Sequence, residues 1–221
     1  SSERRSALQR ERFEWLSRYL VAKGFAVAVP TRAGYGESAR LFDPEESGNC
    51  SRTGYEAMAD VAADQLLAAV AHARTLAWVD ASRWIVVGQS LGGTAAMATA
   101  ARAPQGLLAA INFSGGAGGH PITRVGNPCS PHLLERLWRS KAATAPLPVL
   151  WIYWTHDRYW GERLPRDWAQ AWRDGGGQVD FHALPPWGSE QADGHGGLLR
   201  DMDHWVPLVE AHLAQAGFTR P

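Results

Sequence analysis

The stretch Trp84-Ile-Val-Val-Gly-Gln-Ser-Leu-Gly-Gly93 decides how this chain folds. Its first four residues form a short apolar run, which is typical of a strand buried in a sheet. The small residues from Gly88 onward indicate a tight turn that leads directly into a helix. A strand followed by a sharp turn and a helix is a repeating unit of α/β proteins, so this segment predicts an α/β fold.

The rest of the chain continues this alternation of strands and helices. Short apolar runs predict strands over residues 25–29, 84–87, 107–113, 148–154 and 178–184. The spacing of apolar residues predicts helices over residues 8–23, 55–77, 91–102, 133–143, 160–174 and 203–216. Alternation of this kind predicts a three-layer α/β/α sandwich, with helices on both faces of a mostly parallel sheet. Because there is no internal repeat and no linker, residues 1–221 are expected to form a single domain.

The composition excludes several classes of partner. Lys and Arg together number 22, as do Asp and Glu, so the formal net charge is +0. A neutral chain offers no electrostatic reason to bind nucleic acid or an anionic membrane surface. Its apolar runs also fall well short of the roughly 18 residues that a membrane-spanning helix needs. The composition itself identifies no partner and leaves the oligomeric state open; the motifs described below lead us to expect a small-molecule substrate.

Ser90 is the first candidate for a chemical role. It stands in the pattern G-x-S-x-G, from Gly88 to Gly92, in a strand–turn–helix context that exposes the serine hydroxyl above the sheet. Both glycines are expected to be required, because a Cβ there would clash with the neighbouring strand or helix. The following helix directs its positive end toward a developing oxyanion, and the Leu91 N–H is the expected donor. The motif predicts a serine nucleophile, and a structural glycine-rich turn is the alternative.

A serine nucleophile needs a base, and the base needs an acid that orients it. Asp157 follows the predicted strand 148–154 at its carboxyl end, where ligands bind parallel sheets, so it is expected to be the acid. A helix-capping role is the alternative for this residue. His195 lies in a glycine-rich segment after the last predicted strand, which allows a tight turn over the nucleophile. It is expected to be the base, and His204 at the start of the last helix is the second choice.

Two tryptophans are candidates for the substrate pocket. Trp160 and Trp187 each follow the carboxyl end of a predicted strand, and Trp160 comes shortly after Asp157. Large aromatic walls would favour an apolar or aromatic group in the substrate. Packing in the core is the alternative for both residues.

The chain contains two cysteines, Cys50 and Cys129. Both lie in segments rich in Gly, Pro, Ser and Asn, so both are expected in loops, and neither has the spacing of a zinc site. Because no other cysteine competes, we predict a disulfide between them, with two unrelated thiols as the alternative. A disulfide implies an oxidising compartment, so a periplasmic or secreted location is expected, with the cytoplasm as the alternative.

Four motifs, distributed over nearly the whole chain, are typical of one protein family. They are Arg32-Ala-Gly-Tyr-Gly-Glu-Ser38, Gly88-Gln-Ser90-Leu-Gly-Gly93, His156-Asp157-Arg-Tyr-Trp160 and Asp193-Gly-His195. Together they resemble the dienelactone-hydrolase-like branch of the α/β-hydrolase superfamily. The best-known dienelactone hydrolases use a Cys where this chain has Ser90, so general esterase chemistry is expected rather than dienelactone hydrolysis. The loop around Tyr35 resembles a structural segment beside the site in many relatives, and Tyr35 is expected to border the substrate pocket.

The resemblance implies an enzyme that cleaves carboxylic esters through Ser90, His195 and Asp157, without a cofactor or a metal. The same triad supports a serine peptidase or an acyltransferase, and an inactive hydrolase fold used for binding is the non-enzyme alternative.

One feature of the relatives has no counterpart in the sequence. In relatives, a strand that ends in a His-Gly-type loop precedes the first helix and supplies the second oxyanion donor. This chain opens with Ser1 and Ser2 and continues directly into the first predicted helix. We therefore expect upstream residues in the parent protein, which would supply a strand between residues 25–29 and 84–87. The chain without them is expected to be a poor catalyst.

Overall fold

The computed structural model describes residues 5–7, 10–39, 43, 47–188 and 193–218. Its longer helices are α1 (Glu14–Ala22), α2 (Tyr55–Ala73), α3 (Leu91–Ala101), α4 (Pro131–Ala142), α5 (Arg163–Asp174) and α6 (Met202–Gln215). Its strands are β1 (Gly48–Asn49), β2 (Arg52–Thr53), β3 (Trp84–Gln89), β4 (Leu107–Phe113), β5 (Val149–Trp154) and β6 (Val179–Leu184). None of the described helices is both long and apolar enough to cross a membrane.

The central sheet consists of four strands in the order β3-β4-β5-β6. Each neighbouring pair is parallel, and a helix follows each of the first three strands before the next strand begins. The short strands β1 and β2 form a separate antiparallel ribbon, which the sequence patterns did not predict. The parallel order brings the carboxyl ends of all four central strands to one edge of the sheet, which is where the candidate residues follow β3, β5 and β6.

Side chains alternate between the two faces of this sheet, as the pleat of a strand requires. In β5, Trp151 and Tyr153 belong to the core cluster on one face, whereas Leu150 and Ile152 belong to the cluster on the other. The first cluster includes residues of α2, α3, α4 and α5, and the second includes residues of α1 and α6. The predicted α/β/α sandwich is therefore confirmed.

The strand predicted over residues 25–29 does not form. Burial alternates along this segment, with Phe25, Val27 and Val29 half-buried and the two alanines between them exposed. Phe25 and Val27 pack against the core cluster of α1 and α6. Within the described residues, however, the segment pairs with no strand, and β3 pairs on one side only. The apolar pattern thus predicts which residues are buried, but a strand also needs a neighbouring strand that bonds its backbone.

The first helix is shorter than predicted. It begins at Glu14 rather than at residue 8, because Phe13 adopts a left-handed conformation with φ 42°. Residues 8 and 9 lie outside the described residues. Most other predicted helices and strands agree with the structure to within one to three residues at each end, and β4 has the predicted bounds.

Candidate active site

Ser90 stands on a sharp turn between β3 and α3, as the motif predicts. Its backbone has φ 55° and ψ −123°, a conformation that residues with a side chain rarely adopt, so the turn is strained. The Ser90 N–H donates to the Phe113 carbonyl at 2.9 Å, and the Gly116 N–H donates to the Ser90 carbonyl at 3.3 Å. Backbone hydrogen bonds therefore hold the strained turn against the end of β4.

The glycines around Ser90 differ in what they contribute. A Cβ at Gly88 would lie 1.9 Å from the Gly92 carbonyl oxygen, so a larger residue does not fit there. A Cβ at Gly92 would meet nothing within 4 Å, so the expected clash at this second position is wrong. The close approach occurs instead at Gly93, where a Cβ would lie 2.3 Å from Oδ1 of Asn112 in β4.

The first turn of α3 leaves backbone donors available. The Ser90 carbonyl accepts from the N–H groups of Gly93 at 2.9 Å and Thr94 at 3.2 Å. The N–H groups of Leu91 and Gly92 have no backbone acceptor within the described residues. Unpaired N–H groups at the start of a helix carry the positive end of its dipole. An oxyanion formed at Ser90 could therefore accept from the N–H of Leu91.

The candidate acid and base are joined directly. Oδ2 of Asp157 lies 2.9 Å from Nδ1 of His195. The carboxylate is buried, and its other oxygen, Oδ1, accepts from the Tyr159 N–H at 2.8 Å. A carboxylate held on both oxygens fixes the imidazole orientation and favours a proton on Nδ1, which leaves Nε2 as an acceptor.

The loop that carries His195 lies against the nucleophile turn. The side-chain amide of Gln89, the residue before Ser90, donates to the His195 carbonyl at 2.6 Å. Asp193 accepts from the His195 N–H at 3.0 Å and so caps the 3-10 helix Gly194–Leu199. The loop that carries the candidate base thus lies beside the nucleophile turn at one edge of the sheet, although no hydrogen bond joins the described side chains of Ser90 and His195.

Two aromatic rings support the imidazole. Tyr159 stacks on His195 with ring centroids 4.0 Å apart, and Trp160 meets it edge-on at 5.6 Å. Trp160 is only 2% exposed, and its indole N–H donates to the Ser114 carbonyl at 2.8 Å. This burial makes the ring part of the core behind the imidazole. That Trp160 also lines the substrate pocket remains a prediction. Tyr159 was not expected at the site, and its only signal in the sequence is its position two residues after the acid.

The glycine-rich loop around His195 packs against Trp154, and a second buried carboxylate, that of Asp201, bonds this tryptophan. Trp154 ends β5 and packs so closely that a Cβ at Gly194 or Gly197 would lie 2.6 Å or 2.2 Å from its side chain. Its indole N–H donates to Asp201 at 2.6 Å, and Asp201 also bonds Nδ1 of His204. His204, the second choice for the base, is therefore paired with a different carboxylate, and its hydrogen bond to Asp201 raises its pKa.

Comparison with known families gives a partial match in sequence. Residues 11–115, less than half of the chain, match the model of the prolyl oligopeptidase family. No curated protein sequence matches the chain.

Solved structures match over most of the chain. A thermophilic esterase from Thermogutta terrifontis is 16% identical, with a TM-score of 0.55 over 95% of this chain and 87% of the esterase. A predicted dienelactone hydrolase from Klebsiella pneumoniae is 22% identical, with a TM-score of 0.51 over 80% of this chain and 72% of that protein. The chain has the α/β-hydrolase fold.

Peptidases with this fold are also similar. A predicted dipeptidyl aminopeptidase IV from Bacteroides ovatus is 16% identical, with a TM-score of 0.51 over 71% of this chain. The chain spans only 22% of the length of that peptidase.

The other two expected pocket residues have contacts outside the acid–base pair. Trp187 is half-buried against the core on the α6 side, with the Arg200 guanidinium 5.2 Å from its ring centroid. Tyr35 lies beside the Arg32 guanidinium at 4.2 Å, and partial burial raises its pKa. Neither ring forms a ring contact with His195 in the part of the chain that the structure describes. Their roles in substrate binding remain predictions.

The predicted disulfide is confirmed. Cys50 and Cys129 are bonded across 79 positions in sequence, with their Cα atoms 4.7 Å apart. The Cys129 N–H donates to the Gly118 carbonyl at 3.0 Å, and the Tyr55 hydroxyl donates to the Cys129 carbonyl at 2.6 Å. The bond therefore joins the β1–β2 ribbon to the loop between β4 and α4.

Proposed function

We propose that this α/β-hydrolase cleaves carboxylic esters through a serine nucleophile and an acyl-enzyme intermediate. The observation that carries the proposal is the buried bond between Asp157 and His195, whose loop is tied to the residue before Ser90. A serine hydroxyl becomes a useful nucleophile when an adjacent base accepts its proton and a third group orients that base. The strained turn at Ser90 adds support, because strain of this kind concentrates at functional sites.

The proposed reaction proceeds in two steps. Nε2 of His195 accepts the proton of the Ser90 hydroxyl while the serine oxygen attacks the ester carbonyl. The imidazolium then donates that proton to the leaving alcohol, and the acyl group remains on Ser90. A water molecule activated by the same imidazole hydrolyses the acyl-enzyme, releases the acid and restores the serine. Asp157 stabilises the charged imidazole throughout.

The N–H of Leu91 is the proposed first oxyanion donor. It stands at the start of α3 without a backbone acceptor in the described residues, so a substrate oxygen does not have to displace another group. Loss of one such donor in an enzyme lowers the rate by about 10²–10³. We also propose that the enzyme acts outside the cytoplasm, because its disulfide would be maintained in an oxidising compartment.

A serine peptidase is the second candidate function. Two observations favour it: residues 11–115 match the prolyl oligopeptidase family model, and the chain is similar in structure to the peptidase from Bacteroides ovatus. The same nucleophile, base and acid can attack an amide as well as an ester, so the site alone does not choose between them.

A panel of chromogenic substrates separates the two candidates. The panel contains p-nitrophenyl esters of increasing acyl length beside p-nitroanilides of short peptides. The wild type is expected to turn over the esters with the higher kcat/KM, and Ser90→Ala is expected to abolish that turnover. Ser82→Ala is the matched control, because Ser82 is exposed and bonds Asp80 in a different loop. A higher kcat/KM on the peptides would favour the peptidase, and turnover of neither class would overturn ester hydrolysis.

A further inference from the structure

A pocket of about 300 Å³ lies beside the disulfide. Its lining residues include both cysteines together with Thr53, Tyr55 and Arg124. Among the described lining residues, Arg124 is the one charged side chain and none carries a carboxylate. A positive charge in a small pocket with this lining suits an anionic ligand.

Two polar groups of this pocket are buried without a partner. Nε of Arg124 and Oγ1 of Thr53 are shielded from solvent and bond no group within the described residues. The other end of the guanidinium is fixed, because Nη2 of Arg124 donates to the Gly118 carbonyl at 3.2 Å. Buried donors normally have acceptors, and leaving one unpaired is unfavourable. Arg124 and Thr53 therefore have hydrogen-bonding capacity that no described group of the protein uses.

A carboxylate is the anion that fits this set of groups. A guanidinium binds a planar carboxylate through parallel hydrogen bonds, and one positive charge balances one negative charge. The neighbouring Tyr55 hydroxyl does not compete for Arg124 as an anion. Burial raises the pKa of Tyr55 to about 12, and its proton is donated to the Cys129 carbonyl. The volume of the pocket corresponds to a small organic group.

The pocket shares a wall with the candidate active site. Gly119 lines the pocket, and a Cβ on it would lie 2.6 Å from the Trp160 ring and 3.0 Å from the Tyr159 ring. These are the two rings that support the candidate base. The backbone from Gly116, whose N–H bonds the Ser90 carbonyl, to Gly119 spans at most about 11 Å. The distance from the nucleophile turn to this pocket is therefore within the length of a substrate chain of several carbons.

We propose that this pocket binds the carboxylate end of a substrate whose ester group is attacked by Ser90. The enzyme would then prefer monoesters of dicarboxylic acids to neutral esters of the same length. This inference rests on the ester hydrolysis proposed above, and its test includes a binding measurement that needs no turnover.

The kinetic test compares monomethyl with dimethyl esters of succinate, adipate and suberate. Wild type is expected to show the higher kcat/KM on the monoester at the chain length that spans the two sites. Arg124→Gln is expected to lower kcat/KM for that monoester by roughly 10- to 100-fold and to change the diester by less than about twofold. Arg124→Lys, which keeps the charge, should retain part of the preference. Arg136→Gln is the matched control, because Arg136 is an exposed arginine of α4 outside the pocket.

The binding test uses Ser90→Ala and calorimetric titration with adipate and with inorganic phosphate. Adipate is expected to bind more tightly than phosphate, and Arg124→Gln but not Arg136→Gln should remove its binding. The assignment would be overturned if adipate bound equally well to the Arg124→Gln variant, or if phosphate bound more tightly than adipate. It would also be overturned if Arg124→Gln lost monoester and diester turnover equally. Arg124-dependent adipate binding without turnover of any ester would support the carboxylate site and reject the proposed hydrolysis.

Discussion

The strand before the candidate acid and the strand before the candidate nucleophile are held differently by the same sheet. β5 pairs with β4 on one side and β6 on the other, and all of its residues are buried. Within the described residues, β3 pairs with β4 alone, and Val86 is the one buried residue among its six. Because backbone pairing and burial both oppose local opening, the acid is supported by more of the fold than the nucleophile.

This difference indicates what holds each part of the candidate site in place. Asp157 follows a central strand that is paired on both sides, whereas the position of Ser90 depends on local features of its turn. Those features are the missing Cβ at Gly88, the close approach at Gly93 and the backbone bond to Phe113. The following predictions test this contrast.

The largest effect is expected from removing a tryptophan of the central strand. Trp151 is fully buried, and its indole contacts Trp138 and Trp172, so Trp151→Ala should lower the free energy of unfolding by about 3–5 kcal/mol. Trp84 on the edge strand is half-exposed, so Trp84→Ala should lower it by less than about 2 kcal/mol. Urea denaturation measures both. Equal losses of stability in the two variants would contradict the difference between β5 and β3. If Trp151→Ala does not fold, Trp151→Phe takes its place.

A somewhat smaller effect is expected from opening the disulfide. The bond between Cys50 and Cys129 closes a long segment of chain, so replacing both cysteines by serine should lower the free energy of unfolding by roughly 2–5 kcal/mol. Denaturation with and without reductant checks the result. Reductant should destabilise the wild type but leave the double variant unchanged, and a wild type insensitive to reductant would show that the bond adds no stability.

The nucleophile turn should distinguish two glycines that the motif treats alike. Gly88→Ala places a methyl group against the Gly92 carbonyl, so it should lower the free energy of unfolding by about 1–3 kcal/mol. Gly92→Ala faces open space in a helix, so it should leave stability unchanged or raise it by up to about 1 kcal/mol. Thermal unfolding of both variants measures the difference. Similar losses in the two variants would mean that the turn is not limited by the contact at Gly88.

The smallest effect concerns pH. His212 on α6 is buried, and burial lowers its pKa, with Asp180 partly opposing the shift. The unfolded chain therefore binds a proton at this position more readily than the folded chain, so stability should fall as the pH drops below about 6.5. The contribution is at most about 1.4 kcal/mol per pH unit, the limit for one proton. His212→Leu should flatten the dependence of stability on pH between 7 and 5.

Exposed His72 on α2 supplies the control for this measurement, because its replacement by Leu should leave the pH dependence as in the wild type. An unchanged slope in the His212 variant would assign the acid sensitivity to other groups.

Much of the sheet and part of the site could be predicted because they depend on patterns of residues that are close together in sequence. Short apolar runs locate β4 with the predicted bounds and β5 and β6 to within one residue. Once the strands are parallel, the residues after their carboxyl ends must meet at one edge. The contact between Asp157 and His195 follows from that topology together with the glycines around the histidine.

The parts that could not be predicted depend on partners distant in sequence. Residues 25–29 keep the burial pattern of a strand, but the pattern cannot report whether a neighbouring strand is present. The rings of Tyr159 and Trp160 show the same limit. Their position after the acid is visible in the sequence, but the direction in which each ring turns is decided by packing against His195 and the Gly116–Gly119 backbone.

The central claim of the proposed function is that His195 and Asp157 activate Ser90. A fluorophosphonate probe bonds to a serine whose hydroxyl is activated by a base, and mass spectrometry of the digested protein identifies the modified residue. The account predicts that the probe modifies Ser90 in the wild type and in Ser82→Ala, reacts far more slowly in Asp157→Asn and His195→Ala, and leaves Ser90→Ala unmodified. Modification at another serine, or labelling of Ser90 at the wild-type rate in His195→Ala, would contradict it.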